Sequence, residues 1–208
     1  MNIGIVGSGK IGATAARLFA HAGRDVAVSN SRGPESLVPL VEEIGSNARA
    51  ATVEEAADFG DVVLVAMPFF AYEVLPADQL AGKVVVDAMN YYERRDGRID
   101  FDGLTSSEVV ARYLPNSRLV KAFNTMYYQT LRTEGRPSAP TEERLVLFVA
   151  GDDGEAKAVV SRLIEEIGFA PVDTGSLRDG GRKQEPGSPI YNVPMTAGRA
   201  HEELAAMR

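Results

Sequence analysis

The run Gly7-Ser8-Gly9-Lys10-Ile11-Gly12 is where residue type and spacing speak most directly about chemistry. Glycine at 7 permits a tight turn, glycine at 9 lets bare backbone approach a diphosphate, and glycine at 12 lets a helix pack close to the strand before it. A helix opening here would present free N–H groups and a partial positive charge to an anion. Such a run carries meaning only between a strand and a helix. Ile3-Gly4-Ile5-Val6 precedes it and a helical pattern from Ile11 to Ala22 follows, so the context is met. The chemistry indicated is dinucleotide binding, and a methyl-donor site is the competing use of such a turn.

The end of the second strand selects the nucleotide. A site for NAD normally carries an acid about twenty residues past the glycines, bound to the ribose 2′-hydroxyl. Here the chain reads Val28-Ser29-Asn30-Ser31-Arg32-Gly33, with no carboxylate to repel a 2′-phosphate. Arg32 offers charge and a planar donor fork, and Asn30 and Ser31 offer hydrogen bonds. NADP(H) is therefore expected as the cofactor.

Three further strand ends should line the same crevice: Ala66-Met67-Pro68-Phe69-Phe70, Ala88-Met89-Asn90 and Phe123-Asn124-Thr125-Met126. Asn90 and Asn124 can orient a carboxamide or a ring carbonyl, although asparagine also serves turns. Met67, Phe69, Phe70 and Met126 can wall a ring system or simply fill core. Groups able to move a proton are few. His21 falls in a solvated helix end and His201 in the tail; no catalytic triad, paired carboxylates or metal-ligand cluster stands out. An alcohol dehydrogenase needs a residue for the hydroxyl proton, whereas hydride transfer between rings needs mainly stacking and proximity. The inventory favours ring-to-ring transfer, with Lys121, Tyr127 and Tyr128 keeping the other chemistry open.

The elements that must position these residues alternate between strand and helix, the pattern of a parallel sheet with crossover helices. Strands are expected at Ile3–Val6, Asp25–Ser29, Val62–Ala66, Val84–Asp87, Leu119–Ala122, Leu145–Ala150 and Ala170–Asp173, with a weaker one at Ala48–Ala51. Helices are expected at Ile11–Ala22, Pro34–Ile44, Val53–Ala57, Ser106–Tyr113 and Gly154–Ile167. Tyr91–Thr105 and Gly175–Pro194 read as irregular. The fold class is α/β: a Rossmann-type, doubly wound, mostly parallel sheet over residues 1–174. Residues 175–208 form a C-terminal extension, a lid or dimer segment. As a lid, Arg178, Arg182 and Lys183 would close on an anion over a Gly180-Gly181 hinge.

Bulk properties narrow the class. With 208 residues the chain can bury one good core. A net charge of −7 argues against a nucleic-acid partner. There are no cysteines, hence no disulfides and no thiolate chemistry. The longest apolar run, Val62 to Ala71, is about half the length of a membrane-spanning helix and is broken by Pro68. Met1 leads straight into strand pattern without a basic leader, so no membrane association and a cytoplasmic address are expected.

The glycine run, Ser29-Asn30-Ser31-Arg32, Ala66-Met67-Pro68 and Val120-Lys121-Ala122-Phe123-Asn124-Thr125 together resemble the family of NADP reductases dependent on the deazaflavin coenzyme F420. The oxidoreductase domain of STEAP-type ferric reductases is similar at greater distance. The resemblance runs from Met1 to about Gly175. It implies that the Gly7–Gly12 run holds the pyrophosphate and that Ser31 and Arg32 hold the 2′-phosphate. It places Ala66, Met67 and Pro68 along the nicotinamide ribose, and Phe123, Asn124 and Thr125 near the nicotinamide and the partner ring. The family often ends in an apolar helix completing the pocket and dimer, where this chain has the polar stretch Asp179–Asn192, so the acceptor stays open. The expected function is an NADPH-dependent oxidoreductase delivering hydride to coenzyme F420 or a flavin, as a homodimer. The alternatives are a reductase of a small carbonyl or imine, and a non-catalytic NADP(H) sensor.

Overall fold

A computed structural model describes residues 1–207. β1 (Ile3–Val6) leads into α1 (Lys10–His21) and β2 (Val26–Ser29); a 3-10 turn over Pro34–Leu37 precedes α2 (Val38–Ile44). β3 (Ala48–Ala50), α3 (Val53–Phe59) and β4 (Val62–Val65) complete the first half. A 3-10 segment over Phe69–Val74 then leads to α4 (Ala77–Leu80), β5 (Val84–Asp87), α5 (Glu93–Asp96), α6 (Ser106–Tyr113), β6 (Arg118–Ala122) and α7 (Tyr128–Thr133). The chain ends with β7 (Val146–Gly151), α8 (Gly154–Glu166), β8 (Ala170–Gly175), α9 (Asp179–Lys183) and α10 (Ala197–Ala206).

One sheet takes up all eight strands in the order β3-β2-β1-β4-β5-β6-β7-β8. Every pairing is parallel except that of β6 with β7. β1, β2, β4 and β5 are buried along their whole length, which is why they read as unbroken apolar runs. Alternate residues feed opposite layers. Ile3 and Ile5 pack with Ala15, Phe19, Val160 and Leu163 on one side, while Val6, Val63 and Val85 pack with Ala57, Leu80 and Val110 on the other. The strand order grows one way from β1 to β3 and the other way from β4, so connections leaving β1 and β4 diverge and open a crevice between them.

Helix starts follow local chemistry. Thr52 with Glu55, and Thr105 with Glu108, form reciprocal capping boxes on α3 and α6. Asp153 caps α8 by accepting from the Ala156 N–H at 3.0 Å. The expected single helix over Pro34–Ile44 is instead a 3-10 turn followed by α2. Pro39 has no N–H to bond back one turn, so α-helix cannot run continuously through it.

The C-terminal extension is more ordered than its composition suggests. Ile190 and Met195, with Ala200 of α10, cover the β7–β8 edge of the sheet, packing on Val146, Phe148, Ala170 and Val172. Gly180 and Gly181 lie inside α9 and are buried. A Cβ on Gly180 would fall 2.7 Å from the Thr174 carbonyl carbon. Gly180 permits the close packing of α9 on β8, so it serves contact there rather than the expected hinge.

Candidate active site

Register aligns the strand ends that matter. Val6 pairs with Ser29 and Val65, Val65 with Asp87, and Asp87 with Lys121. Above this row lies a cleft of two cavities, about 760 Å³ on the β2 side and about 470 Å³ on the β5–β6 side, both touching Gly9, Ala66, Met67 and Pro68.

The glycine turn sits where the two cavities meet, and its three glycines differ physically. Gly7 has φ +107°, and a Cβ there would lie 2.3 Å from the Ala66 carbonyl oxygen. A Cβ on Gly12 would lie 1.8 Å from the Gly7 oxygen. Gly9 is the exception: no atom lies within 4 Å of where its Cβ would stand. Its missing side chain leaves a space at the start of α1. That helix has no side-chain cap and no acid in its first turn, so its N–H groups and positive end are available to an anion. These residues fit a pyrophosphate.

In the larger cavity, Ser31 and Arg32 are exposed and line the wall beside Ser8 and Gly33. Among the described residues the Arg32 guanidinium has no carboxylate partner. Asn30 is committed differently from the expectation of a free ligand. Its Oδ1 accepts from the Arg32 N–H at 2.8 Å, and its Nδ2 donates to Ser8 Oγ at 3.1 Å and Ser36 Oγ at 2.9 Å. It ties the β2 loop to the glycine turn. The acid lining this cavity is Glu54, at the start of α3.

Two asparagines organise the smaller cavity. Asn124 Nδ2 donates to Asn90 Oδ1 at 3.0 Å and to the Gln184 carbonyl at 2.8 Å. Asn90 Nδ2 donates to the Asn124 carbonyl at 3.0 Å and to the Tyr191 hydroxyl at 3.2 Å. Asn124 Oδ1 is buried without a partner, an unsatisfied acceptor beside the cavity. Tyr92 and Tyr191 hydroxyls hydrogen-bond to each other. Burial, reinforced by the Tyr92 hydroxyl, pushes the Tyr191 phenol well above the ordinary tyrosine range. Lys10 lies with its ammonium 4.8 Å from the Tyr128 ring centre. Arg95 donates to the Asn90 carbonyl at 2.6 Å and pairs with Asp96. Burial opposes ionisation of Asp96, but Arg95 and the Tyr92 N–H outweigh it and hold its carboxyl below the usual range. No carboxylate lines this cavity among the described residues.

Other expected residues fall elsewhere. Ile11, Met67 and Met126 line the smaller cavity, but Phe69 is core, stacked with Tyr72, Tyr91 and Phe101. Phe70 is 57% exposed and lines the larger cavity. Phe123 takes φ +67°, and its ring enters the core against Phe19, leaving only backbone for the cleft. Thr125 is buried, and its carbonyl accepts from the Asn192 N–H at 2.9 Å. Lys121 is 1% exposed, bound to Asp87 Oδ2 at 3.3 Å and the Met89 carbonyl at 3.1 Å; it lies under the cleft, away from any acceptor. Arg178, Arg182 and Lys183 line neither cavity.

Residues 2–91 match the family described as NADP oxidoreductase, coenzyme F420-dependent. Over these residues the chain is similar to that family. It is similar to a hypothetical protein from Sinorhizobium meliloti, at 33% identity and TM-score 0.80 over 94% of this chain and 95% of that one. It is 33% identical to rat metalloreductase STEAP3 over 177 residues, 84% of this chain but 34% of the relative, so it spans about a third of that protein's length. A protein from Arthrobacter provisionally named an F420-dependent NADP-reductase shares the fold at 23% identity and TM-score 0.71, covering 100% of this chain and 91% of that one. The similarity to NADP-dependent oxidoreductases spans β1 to β5, which carry the glycine turn and the β2 loop. It leaves aside Tyr191, Asn192 and the Gln184 carbonyl, all from the extension. Among the described residues no helix is long and apolar enough to cross a membrane, and no cluster of potential metal ligands occurs.

Tyr92, Arg95 and Tyr191 are the site residues that the sequence reading missed. Tyr92 and Arg95 sit in a stretch read as irregular, and Tyr191 lies 99 residues from Tyr92. A usable signal was present only in part: Tyr91-Tyr92 follows directly on a strand end already assigned to the crevice.

Proposed function

We propose that the protein transfers hydride from NADPH to a planar ring acceptor of the flavin or deazaflavin kind. The observation that carries this is the smaller cavity, reached from the glycine turn. Tyr92, Tyr127, Tyr128 and Tyr191 line it with Met67 and Met126, and two locked asparagines stand at its floor. Aromatic and thioether walls suit a flat ring, and excluding carboxylates favours an acceptor that gains electron density.

Bound NADPH would supply the hydride, and the chain's part is placement. The α1 N-terminus and Gly9 hold the pyrophosphate, and Ser31 and Arg32 hold the 2′-phosphate. Met67 and Pro68 support the nicotinamide end, where Asn124 Oδ1 accepts an amide N–H. Asn90 braces Asn124, and Tyr127 and Tyr128 restrict water. Holding two rings face to face contributes the entropic part of catalysis. The test is loss of NADPH absorbance with FMN, coenzyme F420 and phenanthrenequinone in turn. Turnover with a ring acceptor supports the reading, and tight NADPH binding without any turnover refutes it.

A second reading, reduction of a carbonyl or imine, is favoured by one observation. Tyr191 places a protonated phenol in the acceptor cavity, the proton-bearing group that the sequence inventory lacked.

A further inference from the structure

Tyr191 and Tyr92 form a pair that hydride transfer alone leaves unused. Asn90 has little choice in how it faces Tyr191. Its Oδ1 is taken by Asn124 Nδ2, so its Nδ2 must point to the Asn124 carbonyl and the Tyr191 oxygen. A phenol oxygen has two acceptor positions and one proton. Either phenol of the pair can donate to the other; in the arrangement where Tyr92 donates, Asn90 and Tyr92 fill both acceptor positions and the Tyr191 proton faces the cavity. The two phenols differ in access: Tyr191 is half-buried in the cavity wall, whereas Tyr92 is 38% exposed. The groups facing the pair are Arg95, with its guanidinium 5.1 Å from the Tyr92 ring centre, Lys10 and Tyr128 across the cavity, and the Asn192 amide.

We propose that Tyr191 is the proton donor to the acceptor and that Tyr92 connects it to solvent, a proposal that rests on reading the smaller cavity as the acceptor site. An acceptor atom that takes the hydride, with its electron pair, displaces a π pair onto the heteroatom conjugated with it, the carbonyl oxygen of a quinone or a ring nitrogen of a flavin or deazaflavin. The Tyr191 O–H bond breaks as its proton goes to that heteroatom. The Tyr92 proton then moves to the Tyr191 oxygen, and water reprotonates Tyr92. The nicotinamide is oxidised by two electrons, the acceptor is reduced by two, one solvent proton is consumed, and both tyrosines end as they began. The phenolate that Tyr191 would pass through meets the Asn90 N–H already aimed at its oxygen, and the Tyr92 hydroxyl, once turned to donate, completes its stabilisation. Tyr191 is thus a catalytic residue and Tyr92 a positioning and relay residue.

The test uses phenanthrenequinone, a planar ring with adjacent carbonyls, and NADPH, with Tyr191→Phe and Tyr92→Phe compared against wild type. Tyr191→Phe should lower kcat about a hundredfold, the low end for a lost general acid, with KM for the quinone, NADPH affinity and melting temperature little changed. In mixtures of light and heavy water, the wild-type rate should follow a curved dependence from two protons in flight, and Tyr92→Phe a straight one from a single proton. Tyr191→Phe with wild-type kcat overturns the relay alone. NADPH affinity falling in step with kcat also overturns it, since the ring would then be holding cofactor. Wild-type protein that binds NADPH yet reduces none of the quinone, FMN and coenzyme F420 removes the acceptor reading and the relay together.

Discussion

Gly9 and Gly12 stand three residues apart in one turn, yet substituting them should fail in opposite ways. At Gly12 an added Cβ meets the Gly7 carbonyl oxygen at 1.8 Å, and this is backbone that cannot swing aside. Ordinary contact begins near 3.4 Å, so α1 or the turn must move by more than an ångström. Gly12→Ala should therefore sit at the upper end of the overpacking range of about 1–3 kcal/mol, a loss of roughly 6–12 °C in Tm at about 2–4 °C per kcal/mol. Gly9 has φ −68° and ψ −172°, a conformation open to any residue, and empty space where its Cβ would go. Gly9→Val should stay folded, within about 1 kcal/mol of wild type, since only a helix-cap position changes. The valine would occupy the place of the pyrophosphate, and NADPH affinity should fall at least about a hundredfold, roughly 2.7 kcal/mol. Thermal melts by circular dichroism and NADPH titrations on both variants separate the cases. If folded Gly9→Val binds NADPH as wild type does, the nucleotide lies elsewhere; if Gly12→Ala melts normally, the packing argument is wrong.

Four further outcomes follow from other residues. NADPH should bind at least about tenfold more tightly than NADH, about 1.4 kcal/mol, and Arg32→Ala should remove most of that gap because a charge-assisted hydrogen bond is worth roughly 1.5–3 kcal/mol; titration of both nucleotides decides it. Asn124→Ala should lower turnover with a ring acceptor about ten- to a hundredfold, one to two factors of about 1.36 kcal/mol, with NADPH affinity nearly unchanged, and an unchanged rate would remove it from the site. Lys121→Met strands the buried Asp87 charge and should cost about 3–5 kcal/mol, measured by urea unfolding, while the Lys121→Met/Asp87→Leu pair should recover much of it. Two hydrogen bonds from Arg118, then the Ala156 N–H, hold the Asp153 carboxyl well below the usual carboxylate range. A carboxyl depressed in the folded state adds stability above its unfolded value of about 3.9 and loses it as pH falls through the folded one. Tm of the wild type should therefore drop more steeply below about pH 4 than that of Asp153→Asn, and parallel acid profiles would refute the coupling.

What could be read from the chain in advance was whatever neighbouring residues settle among themselves. The Gly7–Gly12 turn is one such feature: each glycine answers to a strand and helix within a few residues. The α6 start is another, because Thr105 and Glu108 exchange hydrogen bonds across a single turn. The wholly buried β4 and β5 declared themselves by apolar composition. Phe123 escaped because a strand-end residue was expected to face the crevice; a left-handed φ turned it into the core instead. Asn30 escaped because its partners, Ser8 and Ser36, lie on two different connections.

The extension shows the same limit from the other side. Gly180-Gly181 beside Arg178, Arg182 and Lys183 has the composition of a hinged lid, and composition alone has no way to weigh a carbonyl carbon 2.7 Å from a missing Cβ. Once β8 is in place, Gly180 is what lets α9 lie against it, and Tyr191 is carried to the wall of the smaller cavity. Gln184 Nε2 donates to Thr174 Oγ1 at 2.9 Å, and its carbonyl accepts from Asn124 at 2.8 Å, so one residue links the sheet edge to the acceptor cavity. The larger cavity is specified by local spacing along β1 to β4, whereas the smaller one is assembled across long separations with Tyr191 and Asn192 from the extension. On the proposed reading, a relative similar only over β1 to β5 speaks to the nucleotide end, whereas Asn90, Asn124, Tyr92 and Tyr191 of this chain define the other cavity.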